Sequence, residues 1–154
     1  MLTITIYKNI IISMKKNLIA LAAKTTELAH KLIILKLEEN EIKGIVPSHG
    51  SILHLLYAKN RVTMKEISEF IHKTKPTVTV LVDKLINLDY VCKEKCEKDS
   101  RITYITLTSK GKSFESIFKQ VSDEVNQIIY QNLTKEESQE IEVILSKVIN
   151  SLKA

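Results

Sequence analysis

Residues 63–88 read TMKEISEFIHKTKPTVTVLVDKLINL, and this stretch decides the fold. Thr63-Met64-Lys65-Glu66 has the spacing of a capping box, with Thr63 as N-cap and Glu66 reaching back to it. Ile67, Phe70 and Ile71 give the helix that follows one apolar stripe. His72-Lys73 and the next threonine form a short connector. Thr74-Lys75-Pro76 then opens a second helix: Thr caps, and Pro is tolerated because first-turn N–H groups have no helical acceptor. Val78, Leu81, Val82, Leu85 and Leu88 share one face of it, and Pro76, Thr79, Val80, Asp83 and Asn87 the other. Val80 is the odd residue there. It is either an ordinary exposed valine or one that touches a partner.

Upstream, Pro47-Ser48 opens a helix with Ser48 as N-cap and Ile52, Leu53, Leu55 and Leu56 on its apolar side. Before that, Ile11, Met14, Leu18, Leu21, Thr25, Leu28, Leu32 and Leu35 step by three and four. This is a heptad seam on a long helix, expected to end near Lys43-Gly44 with Gly as left-handed cap. The seam either packs within the chain or pairs with a second copy. Met14-Lys15-Lys16 before Leu18–Ala23 imitates the start of a signal peptide, but the apolar run is too short for one.

Downstream, Tyr90–Cys96 and Arg101–Leu107 (RITYITL) read as two strands around a polar turn, a hairpin with a charged tip. Thr108 caps a helix carrying Phe114, Ile117, Phe118, Val121 and Val125. A second capping box at Thr134–Glu137 starts a last helix with Ile141, Ile144, Leu145, Val148 and Leu152. The fold expected is mainly α with a small β-hairpin: a winged helix-turn-helix core over residues 48–108, flanked by helical regions 1–47 and 109–154. Leu18, Leu21, Leu28, Ile141, Leu145, Val148 and Leu152 are the expected dimerisation residues.

The chain has 154 residues with three Gly, two Pro and two Cys. So few turn formers exclude a β-sandwich, and no Gly-rich phosphate loop is present. Two cysteines make no disulfide framework or Cys₄ zinc site and fit a reducing, cytoplasmic setting. No apolar run is long enough for a transmembrane helix. No nucleophile–base pair stands out, so no enzyme and no cofactor are expected. Net charge is +5, and the excess of Lys and Arg lies in residues 1–101, which suits a polyanionic partner.

The second helix of such a unit fits the DNA major groove, N-terminal residues foremost. Lys73, Thr74 and Lys75 stand at that end, Thr77, Thr79, Val80 and Lys84 follow, and Lys93, Lys95, Lys98 and Arg101 mark the hairpin tip. Val80 methyls could meet a thymine methyl.

Two motifs now match a known family. Lys75-Pro76-Thr77-Val78-Thr79-Val80-Leu81-Val82-Asp83-Lys84-Leu85 is similar to the recognition helix of the MarR family of bacterial transcriptional regulators. Asp99-Ser100-Arg101, with Thr103-Tyr104-Ile105-Thr106-Leu107-Thr108-Ser109-Lys110-Gly111, resembles the same family's wing-to-helix segment. The resemblance implies a homodimer with interleaved terminal helices, a pseudo-palindromic operator on double-stranded DNA, repression, and release by a small effector. It implies that Arg101 reaches toward a minor groove and that Asp99 positions it. Many members carry Ser at the place of Pro76 and Arg at that of Val80, and where Gly often ends the recognition helix this chain has Asp89. Asp tolerates the left-handed backbone needed there.

Other clusters are weaker. Cys92 and Cys96 share a face of the proposed strand about 13 Å apart, too far for a disulfide. They read as filling, or as a redox or metal site in a thiol- or metal-sensing relative of the same fold. His30, His49, His54 and His72 are scattered and read as surface histidines, although zinc held by a histidine with Glu38, Glu39 or Glu41 stays open. Tyr57, His54 and Leu35 lie near the expected effector junction. The competing reading is a winged-helix protein–protein adaptor.

Overall fold

The computed structural model describes residues 17–99 and 101–153. In chain order the elements are α1 (Leu18–Glu39), α2 (Pro47–Lys59), β1 (Arg61–Thr63), α3 (Met64–Ile71), α4 (Lys75–Asn87), β2 (Val91–Lys95), β3 (Thr103–Leu107), α5 (Ser109–Ser113), α6 (Glu115–Tyr130) and α7 (Lys135–Leu152). The protein is mainly helical, with one antiparallel sheet in the order β1-β3-β2. Ile11, Met14 and the uncharged opening segment lie outside the described residues.

Local chemistry sets most boundaries. Thr63 Oγ1 accepts from Glu66 N–H (3.2 Å) while Glu66 accepts from Thr63 N–H (2.8 Å), so α3 starts on the reciprocal cap its spacing predicts. Thr134 and Glu137 repeat it at the start of α7. The α4 helix ends in a Schellman motif. Asp89 stands at φ +62°, Tyr90 N–H reaches Leu85 O and Asp89 N–H reaches Ile86 O, both at 2.9 Å.

Five expectations change. The first described helix stops at Glu39, and Glu41 (φ +61°), not Gly44, takes the left-handed cap position; Ile42 N–H then bonds Leu37 O. The buried Leu37 fixes that end by anchoring the last turn to the core. Gly44 does have φ +80°, but within the loop that follows. The N-cap of α2 is Val46 rather than Ser48, because Pro47 takes the first helical position. His49 then does the capping: its Nδ1 accepts from Val46 N–H at 3.1 Å. So His49 is not a surface residue but is buried at 4% exposure. The hairpin gains a third strand, β1, paired Arg61↔Thr106, Val62↔Ile105 and Thr63↔Tyr104. Finally, β2 ends at Lys95, so Cys96 lies in the turn and not on a strand face with Cys92.

The core is concentrated. Ile52, Leu53, Leu56, Val62, Ile67, Val78, Val82, Leu85, Val91 and Ile105 are the fully buried large side chains, all between α2 and β3. A ring cluster of Tyr57, Tyr90, Phe114 and Phe118 extends this core toward α6, with centroids 5.0–6.3 Å apart. Of α1 only Leu37 is buried, and of α7 no residue is. The α1 and α6 helices pack on each other, tied by Lys36 between Glu39 (2.7 Å) and Glu124 (3.4 Å). No helix among the described residues is long and apolar enough to cross a membrane.

Candidate nucleic-acid interface

The helix α4 is gripped at both ends and bare along one side. At its start, Ser68 Oγ donates to Lys73 O (2.6 Å) and His72 takes a left-handed turn (φ +52°), which swings the chain from α3 into α4. Thr74 is the N-cap by position, but its side chain makes no cap bond. Its hydroxyl pairs instead with that of Thr77 at 3.0 Å. The first-turn N–H groups therefore keep no side-chain acceptor of their own, and the helix dipole adds partial positive charge there.

At its other end α4 is held by the segment after β3. Lys110 Nζ donates to Leu88 O (2.7 Å) and lies 4.6 Å over the Tyr90 ring. Thr108 Oγ1 donates to Asp89 O (2.6 Å) and accepts from Gly111 N–H (3.0 Å). Gly111 is pressed so tightly on Tyr90 that an added Cβ would fall 2.0 Å from its carbonyl oxygen. Sequence reading placed Thr108 as a cap but missed this second role. The partner residues lie some twenty positions away, and only the fold brings them together.

Val78, Val82 and Leu85 bury the inner side of α4, while Pro76, Thr77, Thr79, Val80, Asp83 and Asn87 are exposed. Val80 is 70% exposed. Lys73 and Lys75 flank the N-terminal end and are exposed. Lys84 stands to the side: its chain lies against the loop at Gly44, with Cε 3.7 Å from where a Gly44 Cβ would sit.

The hairpin beside α4 is fastened to it. Lys93 on β2 meets Asp83 on α4 at 3.2 Å. At the tip, Asp99 accepts from Arg101 Nε (3.1 Å), from its second guanidinium nitrogen (3.3 Å) and from its backbone N–H (3.0 Å). Those bonds, the side-chain ones first, hold the Asp99 carboxyl below its ordinary range. The Arg101 side chain is 90% exposed. Among the described residues Lys73, Lys75, Lys95 and Lys98 enter no ion pair. The structure thus brings Lys73, Thr74, Lys75, Thr77, Thr79 and Val80 onto one helix, with Lys98, Asp99 and Arg101 on the adjacent hairpin. Ser100 lies outside the described residues.

The residues named for pairing of chains are set apart. Leu18, Leu21, Leu28, Ile141, Leu145 and Leu152 are exposed, at 38–81%, and Val148 is half-buried. Of the three effector-junction residues, His54 lines a mainly apolar cleft of about 480 Å³ between α1, α2 and α6, with Phe70 and Phe118 among its walls. Tyr57 borders a neighbouring cleft and donates its hydroxyl to Gly111 O (3.1 Å). Burial, ahead of the charge on Glu115, pushes its phenol far up. Leu35 is exposed and outside both. Cys92 is exposed on β2, 3.2 Å from Thr106 Oγ1. Among the described residues no group of His, Cys, Asp and Glu has a metal-binding arrangement.

Comparison with known proteins adds the following. The sequence pattern of the MarR family matches residues 43–102. The HTH-type transcriptional regulator SarZ of Staphylococcus epidermidis is 29% identical over 99 residues, which cover 64% of this chain and 65% of SarZ. That match spans just under two thirds of the relative's length. The S. aureus MepR–DNA complex superposes with a TM-score of 0.79 at 25% identity, covering 90% of this chain and 99% of MepR. A MarR transcriptional regulator from Methanosarcina mazei Go1 shares the fold, with TM-score 0.75, 24% identity and coverage of 90% and 99%.

Proposed function

We propose that this chain is a MarR-family transcriptional regulator that binds double-stranded DNA through its winged-helix unit, the part that matches the family. In this reading α4 enters a major groove, N-terminal end first, and the hairpin lies along the neighbouring backbone with Arg101 reaching the minor groove. Lys73, Thr74, Lys75, Thr77 and Lys98 meet phosphates, Thr79 and Val80 face bases, and Lys84 steers from the flank. One observation carries this. A helix anchored by the buried Val78, Val82 and Leu85 projects an uncapped, cationic N-terminal end beside a wing whose exposed arginine is already oriented by Asp99.

The chain acts as a homodimer and a repressor in this reading. The winged unit, 48–108, reads DNA. The flanking regions, 1–47 and 109–154, pair two copies through the exposed apolar rows of α1 and α7. Pairing fixes two α4 helices about one DNA turn, 34–36 Å, apart on a pseudo-palindrome. A small effector in the cleft between α1, α2 and α6 would change that spacing, because the cleft lies where the arms join the reading unit.

The test is titration of the chain against its own upstream DNA, with competitor, across salt concentrations. Binding is expected to weaken steeply with salt, because each phosphate contact releases counterions. No binding, combined with a stable protein complex in pull-down, would favour an adaptor instead.

A further inference from the structure

The outward side of α4 has hydrogen-bonding groups, but most are spent within the protein. Thr79 Oγ1 donates to Lys75 O at 3.0 Å. The hydroxyls of Thr74 and Thr77 pair with each other, which uses one of their two O–H donors and leaves one for a phosphate. Asp83, a carboxylate that could accept from a cytosine amino group, is held by Lys93. Pro76 has no N–H at all. Asn87 keeps a free amide, but at the last residue of α4, away from the end that leads into the groove. Along the first two turns what this side offers freely is mainly apolar, and Val80 dominates it. At 70% exposure it is the most exposed large hydrophobic residue between Val46 and Ile102. A β-branched side chain in a helix holds one strongly preferred χ1, so its two methyls point in a fixed direction.

A lone exposed valine is unremarkable. This one sits mid-way along the base-facing side of a helix, between Thr79 and Asp83, whose side chains are already engaged. Among base edges in the major groove, thymine alone presents a methyl group.

We infer that Val80 is the specificity-determining residue of α4, selecting a 5-methylpyrimidine by methyl contact where hydrogen-bonded readout has been given up. The inference rests on the DNA-binding reading above and names its ligand chemistry: one thymine methyl per reading helix. 5-Methylcytosine carries the same group at the same place and is the second base expected to fit.

The experiment starts from duplexes selected by the full-length protein from random DNA. In these, each thymine is replaced singly by deoxyuridine, which removes only the methyl. Affinity is expected to fall about fourfold at one position per half-site, the value for losing burial of one methyl group. In Val80→Ala, which keeps the helix because the site is exposed, the overall affinity is expected to drop. The deoxyuridine penalty at that position should disappear, and the salt slope and thermal melting should stay as in the parent. Cytosine at that position is expected to bind weakly and to regain affinity on 5-methylation. A flat deoxyuridine scan would overturn the inference, as would a penalty of equal size in Val80→Ala. Failure to select any sequence at all would remove the DNA-binding reading itself, a distinguishable result.

Discussion

The winged unit and the helical arms keep apolar side chains from water in opposite ways. Between α2 and β3, ten large side chains are at most 1% exposed within one copy of the chain. Along α7, Ile141, Val143, Ile144, Leu145, Ile149 and Leu152 stay 38–81% exposed on a helix with a well-formed cap and no buried residue. Good local helix chemistry is therefore present in both regions, but only the winged unit finishes its packing alone. Single solvent-exposed apolar residues are normal; rows of them on two helices mark surface meant to be covered. The difference teaches that the winged unit completes its core within one chain, while the arms leave their apolar rows open to a partner.

Substitutions can break that division. Ile67→Ala in the winged core is expected to cost about 2–5 kcal/mol in denaturant unfolding. Leu145→Ala, measured on dilute chain, is expected to change stability by less than about 0.5 kcal/mol. Equal costs would show that α7 packs within the monomer. Leu145→Asp should leave far-UV helicity intact but dissociate the proposed homodimer in sedimentation. Operator affinity should then fall about 100-fold, because two linked contacts become one. A still dimeric variant would place the pairing surface elsewhere.

Within the reading unit, Arg101→Ala is expected to weaken operator binding about tenfold at moderate salt. Lys75→Ala should reduce affinity about equally on all sequences and lower the salt slope by about one. Unchanged affinity in the first, or a loss confined to one base position in the second, would reassign these residues.

The smallest effect concerns acid. Burial first, and then the charge on Lys84, hold the His49 imidazole below its ordinary value of 6.5. The folded chain thus prefers neutral His49, whose Nδ1 must accept from Val46 N–H. Its stabilising contribution is complete above pH 6.5 and is lost as pH falls through the lowered folded value. Melting temperature should accordingly decline on acidification. His49→Gln, which retains an acceptor for the cap, should flatten that dependence; an unaltered slope would exclude His49 as its source.

What the residues disclosed beforehand follows physical range. The caps at Thr63 and Thr134 depend on side chains three residues away and were readable, as was the left-handed Asp89 after α4. The β1 strand was not. Arg61–Thr63 becomes a strand only because Thr106, Ile105 and Tyr104 come alongside, and its last residue doubles as a helix cap. Sequence alone extends α1 toward Gly44, a ready left-handed stop. The burial of Leu37, a tertiary fact, decides instead. In the candidate interface, the lysines, threonines and Arg101 were legible as a cationic cluster by sequence position. The tie between Lys93 and Asp83 and the lean of Lys84 toward Gly44 required the packing of β2 and of the α1–α2 loop.

Lys110 has one more consequence. It clasps the carbonyl end of α4 from the first turn of α5, and α5 runs into α6 through Phe114, which is itself helical. Helix and arm thus share a pivot, like a crank joined to its shaft. A displacement of α6 would therefore reach the C-terminal end of α4 through Lys110.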